Sequence, residues 1–351
     1  MRSTAWLASF GARARGGRWA RLRRSPRFVD GRFRNPIETS TLRPADIVET
    51  IRLQLTAGPE RYPSRPIPVV RRGRFDFASP PPSGLRLTWL GHATTLVEID
   101  GRRFLTDPVW SERISPSSWI GPGRFFPPPV AAEDLPELDA VLVSHDHYDH
   151  LDMASIRRVA RGGAAFLVPL GVGAHLERWG VAPERIHELD WGDAVRFGDV
   201  EVSAGPARHF SGRGLTDRDR TLWCSYVISG PRHRAFYSGD SGQLDAYRGI
   251  GSERGPFDAS LMSAGAYGPT WPDVHMTPEA LVRAHADLRA GLLIPVHWGT
   301  FNLAFHAWNE PVLRVAAEAA RVGVRLAVPR PGESLEPEAL PALDDGWWRS
   351  V

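Results

Sequence analysis

The centre of the chain alternates short apolar runs with turn residues, a pattern typical of β-strands. Three such runs follow one another closely: LRLTWLG at 85–91, TTLVEID at 94–100 and RRFLTDP at 102–108. Tight turns such as IDGRR separate them, so we predict an antiparallel meander. The preceding stretch RPIPVVRRGRFDFASPPPSG is rich in proline and glycine, which predicts a connection rather than a core element.

Beyond the meander the pattern changes to strands that alternate with helices. The runs DAVLVS and AAFLVPLG flank a helix predicted near 153–161, and VEVSAGPA, TLWCSYVIS, RAFYSGD and ASLMSAGA form a second β-like series. Helices are also predicted at 277–289, where Thr277 can cap, and at 309–322, with the strand LLIPV between them. Meanders combined with helical crossovers predict an α/β fold of two packed sheets flanked by helices.

Length and composition indicate a folded chain with a substantial core. Its 351 residues suffice for one large domain or two ordinary ones, and 24% charged residues is close to the globular average. We predict an N-terminal arm and connection over 1–84, a main domain over 85–335 and a tail over 336–351. The single Cys224 excludes an internal disulfide framework and is compatible with a reducing cytoplasm, where we place the protein.

All 43 basic residues are arginine, which we attribute first to genomic base composition and only second to selection for phosphate binding. The net charge of +3 is too small to imply nucleic acid as a partner. The first 27 residues nevertheless contain eight arginines and no acid, interleaved with Trp6, Phe10 and Trp19. This arm lacks the continuous apolar core of a secretory signal, and we find no transmembrane span elsewhere. A poorly ordered basic tail, a membrane-surface arm and a targeting segment remain three interpretations.

The strongest chemical signal is VLVSHDHYDHLD, residues 141–152, where histidines and aspartates gather directly behind an apolar run. Burying such a cluster without a ligand is costly, so it indicates a metal site. His145 and His147 alternate and can point at one ion, while Asp149 and His150 lie in the turn into a helix and can face a second. Imidazole with carboxylate suits zinc, although manganese and iron are not excluded.

Two metal shells need more ligands than this segment supplies, and three candidates stand at the ends of predicted strands. His209 lies in GPARHFSGR, Asp240 in FYSGDSG and His297 in IPVHWGTF. A single histidine is more often a hydrogen-bonded core or surface residue than a ligand. The joint placement of the three at strand ends favours ligation.

The motif SHDHYDH resembles the HxHxDH motif of the metallo-β-lactamase fold, and GPARHF, SGDSG and PVHWGTF follow in the order that this family uses for its remaining ligands. The resemblance implies an αβ/βα four-layer sandwich with two mixed sheets, and makes 85–335 a hydrolase domain. Within the family, WLGHATTLVEIDGRRFLTDPVW and GAYGPTWPDVHMTPEALV look like the branch of N-acyl-phosphatidylethanolamine-hydrolysing phospholipase D.

The resemblance also implies two zinc ions with one shared carboxylate. Its ligand sets, carried over position by position, are His145, His147 and His209 for one ion, Asp149, His150 and His297 for the other, and Asp240 bridging both. Zinc can lower the pKa of a bound water from ~15.7 to ~7. The implied nucleophile is therefore a metal-bridging hydroxide, and no serine or cysteine nucleophile is required.

Other polar residues near these motifs have less defined roles. His275, in PDVHMTPE, can contact substrate or assist the leaving group, or it is a loop histidine without a catalytic part. With Asp149 and Asp240 it completes our set of predicted catalytic residues. His92 and Asp107 can orient ligands from outside the metal shell or can be structural polar groups.

Two further residues lie inside the SHDHYDH motif itself. Asp146 can orient a ligand histidine from outside the metal shell. Tyr148 is interpreted as a packed aromatic rather than a pocket wall.

The chain departs from the phospholipase pattern around SAGAYGPTW, at Ser263, Ala264, Gly268 and Thr270. The resemblance therefore does not determine which lipid head group is preferred. We predict a phospholipid or another phosphodiester as substrate, no nucleic acid, and leave open a homodimer and peripheral membrane contact. The alternatives are a lactonase or small phosphoester or ester hydrolase of the same fold, and a non-catalytic metal-binding domain.

Overall fold

The computed structural model describes residues 5–41, 46–117, 119–339 and 346–351. Within these ranges the strands are β1 (Phe28–Val29), β2 (Arg32–Phe33), β3 (Leu85–Gly91), β4 (Thr94–Ile99), β5 (Arg102–Thr106), β6 (Ala140–Leu142), β7 (Ala165–Pro169), β8 (Ile186–Leu189), β9 (Ala194–Phe197), β10 (Val200–Gly205), β11 (Ser225–Ser229), β12 (Arg234–Tyr237), β13 (Ala259–Ser263), β14 (Leu293–Val296) and β15 (Ser334–Leu335). The α-helices are α1 (Gly16–Leu22), α2 (Ile47–Thr56), α3 (Met153–Val159), α4 (Gly173–Arg178), α5 (Ala246–Arg254), α6 (Pro278–Asp287) and α7 (Glu310–Val322).

Two large mixed sheets form the centre of the molecule. One has the strand order β15-β3-β4-β5-β6-β7-β8, and the other β14-β13-β12-β11-β10-β9. The predicted meander is confirmed, because β3, β4 and β5 pair antiparallel. Strands β5 to β8 then run parallel, as do β12 to β14.

Alternating side chains build the layers on either side of the first sheet. Phe104 and Leu142 enter the core shared with the second sheet, whereas their neighbours Leu105 and Val141 join the cluster beneath α3 and α4. This period of two is what a sheet buried on both faces requires. Helix α6 packs on β13 between α5 and α7, so helices cover the second sheet as well. The four-layer αβ/βα sandwich is therefore confirmed.

Local signals explain where the helices begin. The Thr277 hydroxyl accepts a hydrogen bond from the Ala280 N–H at the start of α6, the predicted cap, and Asp152 caps α3 in the same way through the Ser155 N–H. Strands β8 and β9 and the short β1–β2 pair were not identified from the sequence. Their apolar alternation is weak, so pairing with neighbouring segments decides them rather than their own pattern.

The described part of the N-terminal arm packs on the main domain. The Trp179 indole N–H donates to the Ala8 carbonyl at 2.7 Å, and the Ala12 N–H donates to His175 Nδ1 at 2.9 Å. Leu22 is buried in a cluster with Trp223. A poorly ordered tail therefore does not describe residues 5–33.

The C-terminal residues pack on the main domain as well. Trp347 and Trp348, from the predicted tail, lie in the main core beside Trp298. The division at 84 and 335 stays a prediction, and packing contacts cross both of these boundaries.

Among the described residues, no helix combines the length and apolar character needed to cross a bilayer.

The buried position of Leu22 gives a test of whether the arm belongs to the fold. Leu22→Ala should lower the free energy of unfolding by roughly 2–5 kcal/mol, the usual cost of truncating a buried leucine. Leu215→Ala, at a fully exposed leucine, should change it by less than about 0.5 kcal/mol. Denaturant unfolding of both variants measures this, and equal stabilities would contradict the packing.

Candidate metal centre

The candidate site residues lie beyond the carboxyl ends of strands from both sheets. The segment 144–150 follows β6, His209 follows β10, Asp240 follows β12 and His297 follows β14. Parallel strands end at one edge of a sheet, and the two sheets face each other. Side chains that are far apart in sequence therefore meet at one edge of the sandwich.

Three histidines form the first group of ligand atoms. His145 Nε2 lies 2.9 Å from His147 Nδ1, and His209 Nε2 lies 3.3 Å from the same nitrogen. His209 Nε2 is also 3.9 Å from Asp240 Oδ2. His145 and His209 are buried, so these nitrogens converge in a region from which bulk water is largely excluded.

A second group lies on the other side of Asp240. His150 Nε2 and His297 Nε2 are each 3.1 Å from Asp240 Oδ2. The same nitrogens lie 3.4 Å and 3.2 Å from Asp149 Oδ2. Asp240 thus contacts both groups, and the Ser263 hydroxyl donates to its other oxygen at 2.9 Å.

Hydrogen bonds outside the centre fix which ring nitrogen of each histidine carries the proton. His150 Nδ1 lies 2.6 Å from Asp107 Oδ2, and His209 Nδ1 lies 3.0 Å from the Val274 carbonyl. The Val274 carbonyl and the ionised Asp107 carboxylate can only accept, so each Nδ1 donates and each Nε2 is the nitrogen that faces inward. His209 is neutral, so its Nε2 carries a lone pair. Burial lowers the pKa of His150, but Asp240 and Asp149 outweigh it and raise that pKa well above the ordinary value, so its Nε2 is protonated until a metal displaces the proton.

The same argument holds for His145. The Ser144 hydroxyl donates its one proton to the Asp107 carboxylate, so it accepts from His145 Nδ1 at 3.0 Å. His145 Nε2 then faces His147 Nδ1 with a lone pair as well. Buried lone pairs and carboxylates at these separations repel unless a cation lies between them, so the donor set fits metal ions.

The pKa shifts follow from burial and from the neighbouring charges. Burial lowers the pKa of His145 and His209 well below the ordinary value, which keeps both rings neutral. Burial also disfavours charge on His297, but Asp240 and Asp149 outweigh it and raise its pKa to about 9. Burial raises the pKa of Asp240, yet the surrounding histidines, His150 foremost, bring it well below its usual range. Without a metal, protons on histidine therefore balance the buried carboxylates.

Strained backbone is concentrated around the centre. His92, Asp107, Ala266 and His297 are non-glycine residues with φ of 52°, 32°, 61° and 62°. Each such conformation costs of order 1–3 kcal/mol and persists only where the surroundings enforce it. Gly239 has φ of 54°, and a Cβ there would lie 2.6 Å from the Ser144 Cβ, so only glycine fits beside Asp240.

The residues predicted to orient the ligands have different roles from one another. Asp107 contacts the candidate ligand His150. His92 instead contacts a carboxylate, because its Nε2 lies 3.0 Å from Asp149 Oδ2. The Asp146 carboxylate points away from the centre, where it accepts from the Thr221 hydroxyl at 2.8 Å and pairs with His175 at 3.3 Å.

Tyr148 packs against the guanidinium of Arg213. Its hydroxyl donates to the Arg213 carbonyl at 2.8 Å, and the Arg213 guanidinium lies 4.0 Å from the centre of its ring. A packed aromatic side chain is therefore its observed role.

His275 lies beside the centre at the wall of a cavity. Its Nδ1 is 4.0 Å from Asp240 Oδ2 and has no hydrogen-bond partner among the described residues. Burial lowers the pKa of its imidazole to about 4. The cavity has a volume of about 260 Å³ and is lined by Trp271, Phe210, Leu303 and Arg218 among others.

A segment that no sequence pattern associates with the site lies next to this cavity. Residues 33–39 and Thr41 line an adjoining cavity of about 340 Å³, which shares Thr41, His209, Phe210 and Arg218 with the first. The segment is short, polar and proline-containing, and it is distant in sequence from every ligand. No motif could have indicated its position.

The sequence and the fold have known relatives. Residues 102–298 match the beta-lactamase superfamily domain. An uncharacterised protein of Mycobacterium tuberculosis is 46% identical over 331 residues, which are 93% of this chain and 88% of that protein. The N-acyl-phosphatidylethanolamine-hydrolyzing phospholipase D 1 of Caenorhabditis elegans is 39% identical over 249 residues, 68% of this chain and 69% of that enzyme. The solved structure of a metallo hydrolase from Ignicoccus hospitalis superposes with a TM-score of 0.55 at 21% identity, covering 72% of this chain and 97% of its own.

The raised pKa of His297 predicts that metal uptake releases protons. Below pH 9 the metal-free protein carries a proton on this ring, and a metal must displace it. We expect proton release on addition of zinc at pH 7.5, decreasing as the pH rises through 9. Titration in weakly buffered solution with a pH indicator measures this.

His297→Ala should release fewer protons than the wild-type protein, whereas His187→Ala, at a partly buried histidine of β8, should match it. Equal release from all three proteins would contradict the assignment.

Proposed function

The chain belongs to the beta-lactamase superfamily as a metal-dependent hydrolase, and from this premise we propose that it is a dinuclear zinc phosphodiesterase of phospholipase D type. The proposed substrates are lipids that resemble N-acyl-phosphatidylethanolamine. The observation that carries the proposal is the pair of histidine groups that share Asp240, with Nε2 atoms turned inward because Ser144, Asp107 and Val274 accept from the Nδ1 atoms. Manganese or iron would suit the same donors less typically.

The proposed ligands follow the two groups of converging atoms. One ion would be held by His145, His147 and His209, the other by Asp149, His150 and His297, and Asp240 would serve both. When bound, such ions lower the pKa of a coordinated water and offset the charge that develops on a phosphoryl oxygen. Ser263 holds Asp240 so that Oδ2 remains turned to both groups.

Side chains around the cavity would contact the substrate and its leaving group. Water is added across the phosphodiester, leaving the phosphate on the diacylglycerol and releasing the N-acylated alcohol with a proton. His275 is suited to contact the leaving oxygen, because Nδ1 is buried without a partner and the ring lines the cavity. Trp271, Phe210 and Leu303 give that cavity an apolar wall, which supports a lipid over a sugar or nucleotide ester.

Exposed apolar side chains of the arm and of a neighbouring loop support contact with a lipid surface. Trp119 and Ile120 are 87% and 72% exposed, and Trp6 of the arm is 48% exposed. The Ser9 hydroxyl oxygen lies 3.0 Å from the Pro116 carbonyl oxygen, so the arm and this loop lie together. The arm and this loop therefore form one surface, which we propose rests on the bilayer interface.

The metal and substrate proposals are tested together. Wild-type protein should contain close to two zinc ions and hydrolyse N-acyl-phosphatidylethanolamine in preference to lactones and simple esters. Asp240→Asn should reduce both metal occupancies and lower activity at least about 100-fold, because one shared carboxylate is lost. Metal analysis beside a substrate panel measures this, with Asp199→Asn, at an exposed aspartate, as the matched control.

Preference for a lactone would replace the phosphodiesterase with the lactonase alternative. Full activity without bound metal would contradict the metal centre itself.

Trp119→Ser should lower activity on vesicles and leave the hydrolysis of a short-chain soluble phosphodiester unchanged. The comparison separates lipid contact from chemistry.

The role of His275 is tested against that of a ligand. His150→Ala should abolish turnover on every substrate because a metal ligand is lost. His275→Ala should keep both metals and lower kcat unevenly across head groups, by roughly 10²–10⁴-fold if it transfers a proton to the leaving oxygen. Steady-state kinetics with three alcohol leaving groups measures this, and a uniform negligible effect would make His275 a structural loop residue.

A further inference from the structure

Residues 33–41 form an N-terminal strap across the loops that carry His209 and His275. The strap begins in the core, where Phe33 is buried and its N–H donates to the Asp219 carbonyl at 2.7 Å. The Ser40 N–H donates to Asp273 Oδ2 at 2.8 Å, two residues before His275. A segment of the predicted arm is therefore joined to the walls of the metal centre.

Within the strap, Asn35 grips the backbone of His209 with both ends of its side-chain amide. Its Nδ2 donates to the His209 carbonyl at 2.7 Å, and its Oδ1 accepts from the His209 N–H at 3.2 Å. The orientation of the amide is fixed by the His209 backbone, because its N–H needs an acceptor and its carbonyl needs a donor, and an NH₂ group cannot accept. The Trp223 indole N–H, which donates to the Ala207 carbonyl at 2.9 Å, also lies 3.1 Å from Oδ1 and agrees with this orientation. The pairing reproduces the two hydrogen bonds that a neighbouring β-strand would make.

His209 has no such neighbour because it lies beyond the end of β10, in the loop that follows Gly205. Its ring is held on one side by the Val274 carbonyl, which accepts from Nδ1. Its backbone is held by Asn35. Together the two contacts fix the position and the tilt of the imidazole, and neither involves the other ligands.

We propose that Asn35 is a positioning residue of the metal centre, which fixes the His209 backbone so that Nε2 meets the site formed with His145 and His147. The proposal depends on the metal-ligand role of His209 and on no particular substrate. It makes the arm part of the site in a way that its arginines and aromatic residues do not. Contacts behind a metal ligand commonly contribute 10–100-fold to metal affinity.

The test compares metal affinity in Asn35→Asp and Thr41→Val. Asn35→Asp keeps the shape but sets a carboxylate oxygen against the His209 carbonyl, so it removes one hydrogen bond and adds repulsion. Thr41→Val removes a strap contact with Arg218, 2.6 Å long, that does not touch His209. Zinc titration against a chromophoric chelator resolves the two binding steps, and the cobalt-substituted protein reports ligand geometry through its visible absorption.

In Asn35→Asp we expect one of the two zinc ions to bind roughly 10–100-fold more weakly, with a changed cobalt spectrum, while the other ion keeps its wild-type affinity. Thr41→Val should match the wild-type protein in both. Asn35→Ala, which adds no charge, should show the same selective loss to a smaller extent and covers the case in which Asn35→Asp does not fold.

Unchanged affinity at both sites, or a lower melting temperature with wild-type metal binding, would overturn the proposal and leave Asn35 as a structural residue. Because no substrate is present, a failed phospholipase assay leaves this result intact. Wild-type protein that binds no zinc would instead contradict the metal centre before Asn35 is considered.

Discussion

The convergence of imidazole Nε2 atoms and the Asp149 and Asp240 carboxylates on one small region is the constraint on which the rest of this structure depends. His145, His150 and His209 each donate Nδ1–H to an outer partner, which leaves Nε2 as the nitrogen that faces inward. Asp240 lies among them with its second oxygen held by Ser263. Such an arrangement is unfavourable until a cation enters it. Assembling the site therefore lowers the stability of the metal-free fold, and metal binding offsets this loss.

Hydrogen bonds at the strand ends hold these side chains in position. Asp107 alone accepts from His150, Ser144 and the Tyr237 hydroxyl, and thereby ties β5, β6 and β12 together. Left-handed backbone at His92 and His297 is enforced by the same packing, where the His297 N–H donates to the His92 carbonyl at 2.9 Å. Strain of this kind is typical of functional sites, where the surrounding packing holds it in place.

The folded structure gives the N-terminal arm a role that its sequence does not indicate. Its arginine-rich sequence suggests a solvated or membrane-bound appendage, yet Leu22 and Phe33 are buried in the domain and Asn35 contacts a candidate ligand. Arg18 pairs with buried Glu188 at 2.9 Å, and so part of the positive charge is used within the fold. Trp6 and Trp119 remain exposed and support the proposed lipid contact.

The sequence by itself determined strands β3 to β7 and β10 to β14, the Thr277 cap of α6 and the seven ligand candidates, because these depend on local periodicity and on a compact motif whose residue types specify metal chemistry. It also favoured the correct edge of the sheets, since each candidate follows an apolar run. Only the tertiary structure decided that His92 contacts Asp149, that Asp146 turns away to His175, and that Asn35 grips His209 across 174 residues of sequence. Those contacts join segments with no shared local pattern, and the packing of two sheets and an arm, which no single stretch encodes, alone brings them within hydrogen-bonding distance.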